Sequence, residues 1–359
     1  MSKSFYSSTY EEARRRFIDS ATSANATFTS YPLRAEDATS DEFTIDVAVH
    51  GPVDAPALVV SSGLHGVEGF LGSAIQLAIL EEFESYNTQN IRWVFIHAIN
   101  PFGFARLRRF NEDNVDLNRN FLLSGSMYAG APADYARLDA LLNPTTEPLG
   151  FEPFRLKAMW TIIRYGMEAL QQCVAAGQYE YPRGIFFGGL KPSPAMEVLQ
   201  ENFEQWIGST TKILHVDFHS GLGAFGKYKL MLTGSDQGQW YDRIFGSGSI
   251  ESINDSAYQA TGGMGQWLQH HFADRDYRFV TAEFGTYGPI RVLAAIRAEN
   301  RAHHFGSEQS KIYQDAKREL MECFCPEDKS WRQQVVVAGL DILRRGGSGL
   351  SAVPSSAEN

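Results

Sequence analysis

Residues 55–83 are APALVVSSGLHGVEGFLGSAIQLAILEEF, and this stretch decides the fold class. It begins with a continuous apolar run, residues 56–63, of the kind that forms a strand buried on both faces. A polar turn with glycines follows, and from Gly69 onward the apolar residues recur with the period of an α-helix. A second apolar run, residues 91–99, predicts another buried strand. This succession of strand, turn, helix and strand indicates a sheet covered by helices.

The remaining patterns extend this architecture. Further strands are predicted at residues 41–51, 212–223, 228–234 and 277–288, and helices from near residue 9 and at 69–83, 131–142, 153–176, 264–272, 289–303, 308–323 and 330–344. The strand at 228–234 is expected beside the one at 212–223. The predicted fold class is therefore α/β, a single domain over residues 1–345 with a central mixed, largely parallel sheet flanked by helices. The low-complexity tail, residues 346–359, is predicted to be disordered.

Charge and hydropathy exclude several classes of function. The 359 residues include 32 basic and 42 acidic side chains, for a formal net charge of −10, which argues against binding nucleic acid or docking on anionic lipid. Residues 1–20 lack the apolar segment of a secretory signal, and no window approaches the roughly 18 apolar residues of a transmembrane helix. These features predict a cytoplasmic protein without nucleic-acid or membrane partners. They leave its oligomeric state open.

Polar clusters follow three of the predicted buried strands, namely His65 with Glu68, then His219, then Glu283. Because ligands bind at the carboxyl ends of the strands in such sheets, these residues can meet although they are far apart in sequence. A catalytic zinc ion takes three protein ligands and keeps one position open, and the first three residues would supply His, Glu and His. Taken singly, each residue is more simply explained as a polar group at a strand end. His215, at an even offset from His219, is predicted to serve packing.

Residues 106–121, RLRRFNEDNVDLNRNF, concentrate four arginines in an acidic protein. Guanidinium groups bind carboxylates with two parallel hydrogen bonds and stabilise oxyanions. This irregular connection is therefore a candidate substrate-binding segment. The alternative is a structural network of ion pairs among Arg109, Asp113 and Asp116.

Five segments, in order, resemble the zinc carboxypeptidase (metallocarboxypeptidase) family, and they look closer to a bacterial branch than to the digestive enzymes. The segments are HGVE at 65–68, NPFGFARLRRFNEDNVDLNRNF at 100–121, DFHSG at 217–221, YQATGGMGQW at 258–267 and TAEFGTYG at 281–288. The matching region, residues 57–288, covers about two-thirds of the chain. The resemblance implies a zinc carboxypeptidase-like fold.

The resemblance also implies a metal centre and its catalytic base. His65, Glu68 and His219 would bind one zinc ion per chain. Asp116 would orient His65 from behind the metal site, as outer carboxylates commonly do for ligand histidines. Glu283 would act as the general base and then the general acid.

For the substrate, the resemblance implies four further residues. Asn118 and Arg119 would hold a substrate carboxylate, and Tyr258 would cap the bound substrate. Arg109 would polarise the scissile carbonyl, although the adjacent Arg108 competes for that alignment.

The implied activity is that of a zinc metallopeptidase, which cleaves an amide bond next to a free carboxylate by a metal-activated water. Its substrate would be a small peptide or an N-acyl amino acid. An N-acyl amino acid deacylase of the aspartoacylase and desuccinylase type is the alternative, because that branch shares H-x-x-E, D-L-N-R and a later histidine. A third hypothesis is a non-catalytic protein that recognises peptide carboxylates. No acidic residue accompanies Gly265, where the family often places a specificity residue, so a preference for C-terminal Lys or Arg is unsupported. Residues 177–194 suit a substrate-lining loop or a surface turn equally.

Overall fold

The computed structural model describes residues 4–33, 43–86, 90–148, 153–166, 176–233, 239–252 and 261–351. These residues form one α/β domain, in which an eight-stranded mixed sheet carries helices on both faces. This architecture confirms the predicted fold class.

The central strands of the sheet pair in parallel. The strands are β1 Thr27–Leu33, β2 Phe43–His50, β3 Ala57–Ser62, β4 Arg92–His97, β5 Lys212–Ser220, β6 Tyr228–Leu232, β7 Ile250–Ser252 and β8 Asp276–Phe284. Their spatial order is β1-β2-β4-β3-β5-β8-β6-β7. Parallel pairing joins β4, β3, β5 and β8, whereas antiparallel pairing adds β2 and β1 at one side and β6 at the other.

The position of β6 differs from the prediction that it neighbours β5. Both edges of β5 are already occupied, one by β3 and the other by β8. As a result β6 pairs antiparallel with β8. This order brings the ends of β5 and β8 together, and His219 and Glu283 are partners in register.

Most predicted helices are present, with shifted ends. The helices are α1 Tyr10–Ser23, α2 Gly69–Glu81, α3 Phe83–Tyr86, α4 Pro101–Ala105, α5 Tyr135–Leu142, α6 Phe154–Tyr165, α7 Pro194–Ile207, α8 Gln239–Phe245, α9 Met264–His271, α10 Pro289–Phe305, α11 Lys311–Phe324 and α12 Lys329–Ser351. The side chain of Thr9 caps α1 by accepting the N–H of Glu12, as its sequence predicts. Of the helix predicted at 153–176, residues 167–175 lie outside the described part. None of the helices in the described ranges is long and apolar enough to span a bilayer.

Helices cover both faces of the sheet, which explains why β3 is buried along its whole length. Leu58 and Val60 face a core formed with α1, α2 and α12. Val59, between them, faces a second core formed with α7 and α9. Alternate residues of one strand therefore serve two separate cores.

The last helix corrects the prediction of disorder from residue 346 onward. Helix α12 continues to Ser351, and Gly346 and Gly349 are buried within it. A Cβ added to Gly346 would lie 2.7 Å from the side chain of Leu214. The glycines that suggested a low-complexity tail thus let the helix approach the sheet closely. Residues 352–359 lie outside the described part of the chain.

Candidate metal centre

Two histidines and a glutamate converge at the carboxyl ends of β3 and β5. His65 follows β3, Glu68 lies in the short 3₁₀ helix Gly66–Glu68, and His219 is near the end of β5. The Nδ1 atom of His65 is 3.0 Å from Glu68 Oε1, and the Nδ1 atom of His219 is 3.1 Å from Glu68 Oε2. One donor atom from each residue lies within 4.8 Å of the others, and all three side chains are buried. The structure thus brings together the three residues predicted from the sequence as metal ligands.

A carboxylate contacts the second ring nitrogen of each histidine. Asp116 Oδ1 is 3.2 Å from His65 Nε2, which is the position predicted for Asp116. Asp217 Oδ2 is 2.6 Å from His219 Nε2. Asp217 is not among the residues predicted from the sequence, although its place two residues before His219 puts both side chains on one face of β5. Carboxylates in this position fix which ring nitrogen carries the proton and orient the other toward a metal.

The turn that carries the first two of these residues packs against the irregular connection after β4. The N–H of Gly66 donates to the carbonyl of Arg109 at 3.2 Å, and the N–H of Val67 donates to the carbonyl of Arg108 at 2.7 Å. A Cβ on Gly66 would lie 2.1 Å from the carbonyl carbon of Gly103. Glycine is therefore required where the two backbones touch.

Arg108 and Arg109 are adjacent in sequence but lie in different environments. Arg108 is fully buried, and its Nε donates to Glu299 Oε1 at 3.0 Å. Its Nη2 donates to the side chains of Asn114 and Asn300 at 2.9 and 3.0 Å. Arg108 therefore anchors the connection in the protein core.

Arg109, in contrast, reaches the metal-ligand cluster. Its Nε donates to Asp116 Oδ2 at 2.9 Å, so this pair of the alternative ion-pair network is present. Its Nη1 lies 3.4 Å from Glu68 Oε1, and its Nη2 lies 2.7 Å from His65 Nε2. The ring of Phe186 lies 5.7 Å from the guanidinium carbon. Of the two arginines, Arg109 is the one that contacts the site.

Glu283 lies beside the cluster on the neighbouring strand. It is the register partner of His219, and its Oε1 accepts the N–H of Leu222 at 3.0 Å. Burial, and then the negative charge of Glu68, raise the pKa of Glu283 to about 7. A carboxyl group with a pKa near neutrality can both accept and donate a proton under physiological conditions.

The charges of the cluster favour a bound cation. Burial acts to raise the pKa of Glu68, but His65 and His219 outweigh it and lower that pKa, so Glu68 is ionised. Burial acts to lower the pKa of His219, but Asp217 and then Glu68 outweigh it and raise that pKa well above its usual value. The metal-free protein therefore holds a proton on His219, which a metal ion would displace from Nδ1.

The predicted substrate-binding residues lie on the 3₁₀ helix Leu117–Arg119. The Oδ1 atom of Asn118 accepts the N–H of Met264 at 3.1 Å. Arg119 is largely buried, and its Nη1 donates to the carbonyl of Asn118 at 2.8 Å. Its Nε has no hydrogen-bond partner among the residues that the structure describes. Tyr258 lies outside the described residues.

The segment 177–194 packs against this region. The carbonyl of Phe187 accepts the N–H of Asp116 at 2.7 Å, and the hydroxyl of Tyr179 donates to the carbonyl of Arg119 at 2.7 Å. The segment therefore packs against the candidate site through Tyr179 and Phe187, and the interpretation of residues 177–194 as a surface turn is wrong for these two residues.

Gly265 does not occupy a pocket position. It lies in α9, where a Cβ would be 2.4 Å from the ring of Phe279. It therefore packs against Phe279 of β8 in the core.

Comparisons with known proteins agree with this architecture. A family model described as "Protein of unknown function (DUF2817)" matches residues 6–338. A search of curated proteins finds no match to the sequence.

Solved structures with carboxypeptidase-like folds are similar over most of the chain. Bovine thrombin-activatable fibrinolysis inhibitor, in complex with tick carboxypeptidase inhibitor, is 11% identical with a TM-score of 0.52, and the match covers 96% of this chain and 97% of that one. A second structure of thrombin-activatable fibrinolysis inhibitor is 10% identical with a TM-score of 0.51, covering 97% and 75%. Carboxypeptidase A from Helicoverpa armigera is 14% identical with a TM-score of 0.48, covering 92% and 73%. At such identities the first two matches show the fold alone, and they confirm the zinc carboxypeptidase-like α/β architecture.

Proposed function

This chain belongs to the DUF2817 family, and we propose that it is a zinc-dependent hydrolase that cleaves an amide bond next to a free carboxylate. The observation that carries the proposal is the convergence of His65, Glu68 and His219 on one point. Glu283, on the adjacent strand, adds a carboxyl group suited to proton transfer. The carboxypeptidase-like fold supports a reaction of the carboxypeptidase type on a small peptide or peptide-like substrate.

The donor atoms fit one zinc ion per chain. Zinc binds histidine nitrogen and carboxylate oxygen at about 2.0 to 2.2 Å in tetrahedral sites, so two such donors lie about 3.4 Å apart. The Nδ1–Oε separations of 3.0 and 3.1 Å are close to that value. Three protein ligands leave a fourth position open, as in catalytic rather than structural zinc sites. Histidine and carboxylate ligands also accept other divalent ions, which metal analysis distinguishes.

Glu283 is the proposed proton carrier. Bound zinc would supply a Lewis acid that lowers the pKa of a water molecule and polarises a carbonyl group. Glu283 accepts the proton of the attacking water and returns it to the leaving amine. Because the N–H of Leu222 holds Oε1, we assign the proton transfer to Oε2. The positive charge of a bound metal would favour the ionised form of Glu283, which is the form that a general base needs.

Arg109 is the proposed electrostatic stabiliser of the reacting carbonyl. Asp116 fixes its guanidinium through Nε, and its Nη1 and Nη2 atoms lie beside Glu68 and His65. A fixed cation at this position stabilises the negative charge that develops on the carbonyl oxygen as the water attacks.

Arg119, Asn118 and Tyr258 are the proposed substrate-binding residues. Arg119 is a buried cation whose Nε has no partner among the described residues, and a buried charge of this kind favours an anionic ligand. Asn118 commits its Oδ1 to Met264, so its amide nitrogen is the end that would donate to a carboxylate. The capping role of Tyr258 is proposed on the sequence resemblance alone.

A substrate panel tests this proposal. The purified, zinc-loaded chain is offered short peptides with a free C-terminus, the same peptides with an amidated C-terminus, and N-acyl amino acids. We expect hydrolysis of the free-carboxylate peptides, and loss of that hydrolysis on amidation, on chelation and in Glu283→Gln. Hydrolysis of N-acyl amino acids alone would assign the chain to the deacylase type. Tight peptide binding without turnover would overturn the hydrolase proposal.

A further inference from the structure

A series of buried hydrogen bonds leads away from the metal centre. Asp217, which contacts His219 through Oδ2, accepts the hydroxyl of Ser61 on its other oxygen, Oδ1, at 2.6 Å. Ser61 Oγ lies 2.7 Å from His215 Nε2, and His215 Nδ1 lies 2.8 Å from the hydroxyl of Tyr277. All five side chains are buried. Strand pairing produces the contact, since Ser61 on β3 and Asp217 on β5 are register partners.

The available protons determine which atom donates and which accepts in every hydrogen bond of this series. The hydroxyl of Ser61 donates its only proton to Asp217 Oδ1. Ser61 Oγ can then only accept from His215, which therefore carries its proton on Nε2. His215 Nδ1 is left as an acceptor, and the hydroxyl of Tyr277 donates to it. Each partner has one role, and no donor or acceptor in the chain conflicts with its neighbour.

The apolar surroundings of His215 keep its imidazole ring neutral. Its ring lies 4.8 Å from that of Phe279 and 5.8 Å from that of Phe203. Burial lowers the pKa of His215 to about 4, so the ring has a single proton at neutral pH. The polar chain is thus enclosed by apolar side chains, where an unsatisfied polar atom is costly.

We propose that Ser61 and His215 are positioning residues for the metal centre, which hold the Asp217 carboxylate in the orientation that points His219 Nδ1 at the metal. This inference rests on the proposed zinc site. Ser61 occupies one oxygen of Asp217, so the other oxygen is directed at His219 Nε2. His219 then carries its proton on Nε2 when the metal is bound, and Nδ1 presents its lone pair. His215 and Tyr277 orient Ser61 in turn.

The test compares two adjacent serines of β3. Ser61→Ala removes the hydroxyl that contacts Asp217. Ser62→Ala is the matched control, because Ser62 is equally buried but faces the other side of the sheet, where its hydroxyl contacts Gln76. Zinc dissociation constants are measured by competition with a chromophoric chelator, and urea unfolding of the metal-free proteins measures stability. Loss of an outer-shell partner weakens metal binding by about 10- to 100-fold, and we expect Ser61→Ala to show about tenfold and Ser62→Ala less than twofold.

A second variant tests whether His215 acts on the metal centre through Ser61. His215→Phe retains an aromatic ring and removes the Nε2 donor, and its loss of zinc affinity should not add to that of Ser61→Ala in the double variant. If both serine variants bind zinc as the wild type does, the positioning role is wrong while the zinc site stands. If the wild type itself binds no zinc, the proposed function fails first.

Discussion

Replacing Arg108 or Arg109 with methionine, one at a time, should separate a structural arginine from a chemical one. Methionine keeps an unbranched apolar stem and removes the guanidinium. Arg108 is enclosed by Glu299 and two asparagines in the core, whereas Arg109 contacts the metal-ligand cluster. We expect R108M to lower the free energy of unfolding and R109M to lower the rate of hydrolysis.

The magnitudes follow from the partners of each side chain. Removing one member of a buried ion pair costs about 3 to 5 kcal/mol when the other is left uncompensated. Glu299 keeps a second cation, since Lys317 Nζ is 2.6 Å from the same Oε1 atom, so the expected loss for R108M is about 3 kcal/mol, at the lower end of that range. Removing a donor that stabilises a developing oxyanion lowers kcat by about 10²- to 10³-fold, and this is the expected effect of R109M.

Two assays on the zinc-loaded proteins distinguish these outcomes. Urea unfolding should show a loss of stability for R108M, and also for R109M, because R109M removes a cation from the buried Asp116. Initial-rate kinetics below the unfolding transition should show that R108M retains most of its activity while R109M loses nearly all. The roles are wrongly assigned if R108M unfolds at the wild-type urea concentration, or if R109M turns over substrate at the wild-type rate.

Three other predictions concern protons and packing. Zinc affinity should fall about tenfold per pH unit on acidification, because the raised pKa of His219 keeps it protonated in the metal-free protein. Chelator competition measures the zinc dissociation constant, and a value that is the same at about pH 7 and about pH 6 contradicts this prediction. The value of kcat/KM should fall as the pH drops through the pKa of Glu283, because a protonated carboxyl group cannot act as a base. This pKa is about 7 without metal and lower beside a bound cation. A pH–rate profile that is flat down to about pH 5 argues against Glu283 as the base. Gly66→Ala should lower the free energy of unfolding by about 1 to 3 kcal/mol and weaken zinc binding, because its Cβ would lie 2.1 Å from Gly103. The control is Gly248→Ala, where a Cβ meets nothing within 4 Å. Urea unfolding curves of Gly66→Ala and the wild type that superimpose would refute the packing argument.

The metal ligands and the base could be predicted from the sequence because they lie near or just beyond the carboxyl ends of predicted strands. The apolar run of β3 is typical of a strand covered on both faces, and parallel strands present their carboxyl ends along one edge of the sheet. That reasoning brings His65, His219 and Glu283 together without coordinates. It could not establish that Glu283 is the register partner of His219, because the sequence does not show that β8 lies between β5 and β6.

Contacts that depend on side-chain direction or on pairing between distant strands needed the structure. Asp217 could have been found, since it shares a face of β5 with His219 two residues away, but Ser61 reaches Asp217 only through the pairing of β3 with β5. The different environments of Arg108 and Arg109 arise in an irregular connection with no period to analyse. The buried Gly346 was misjudged because composition alone cannot distinguish a flexible tail from a helix that needs small residues to approach a sheet.

The zinc content of the purified 359-residue chain tests the central claim most directly. Inductively coupled plasma mass spectrometry is applied to the wild type, Glu283→Gln and His219→Ala, each after equilibration with zinc and removal of the excess. The wild type and Glu283→Gln should each contain one zinc ion per chain, since Glu283 is not a ligand, and His219→Ala should contain almost none. A folded His219→Ala protein that holds as much zinc as the wild type would contradict the account.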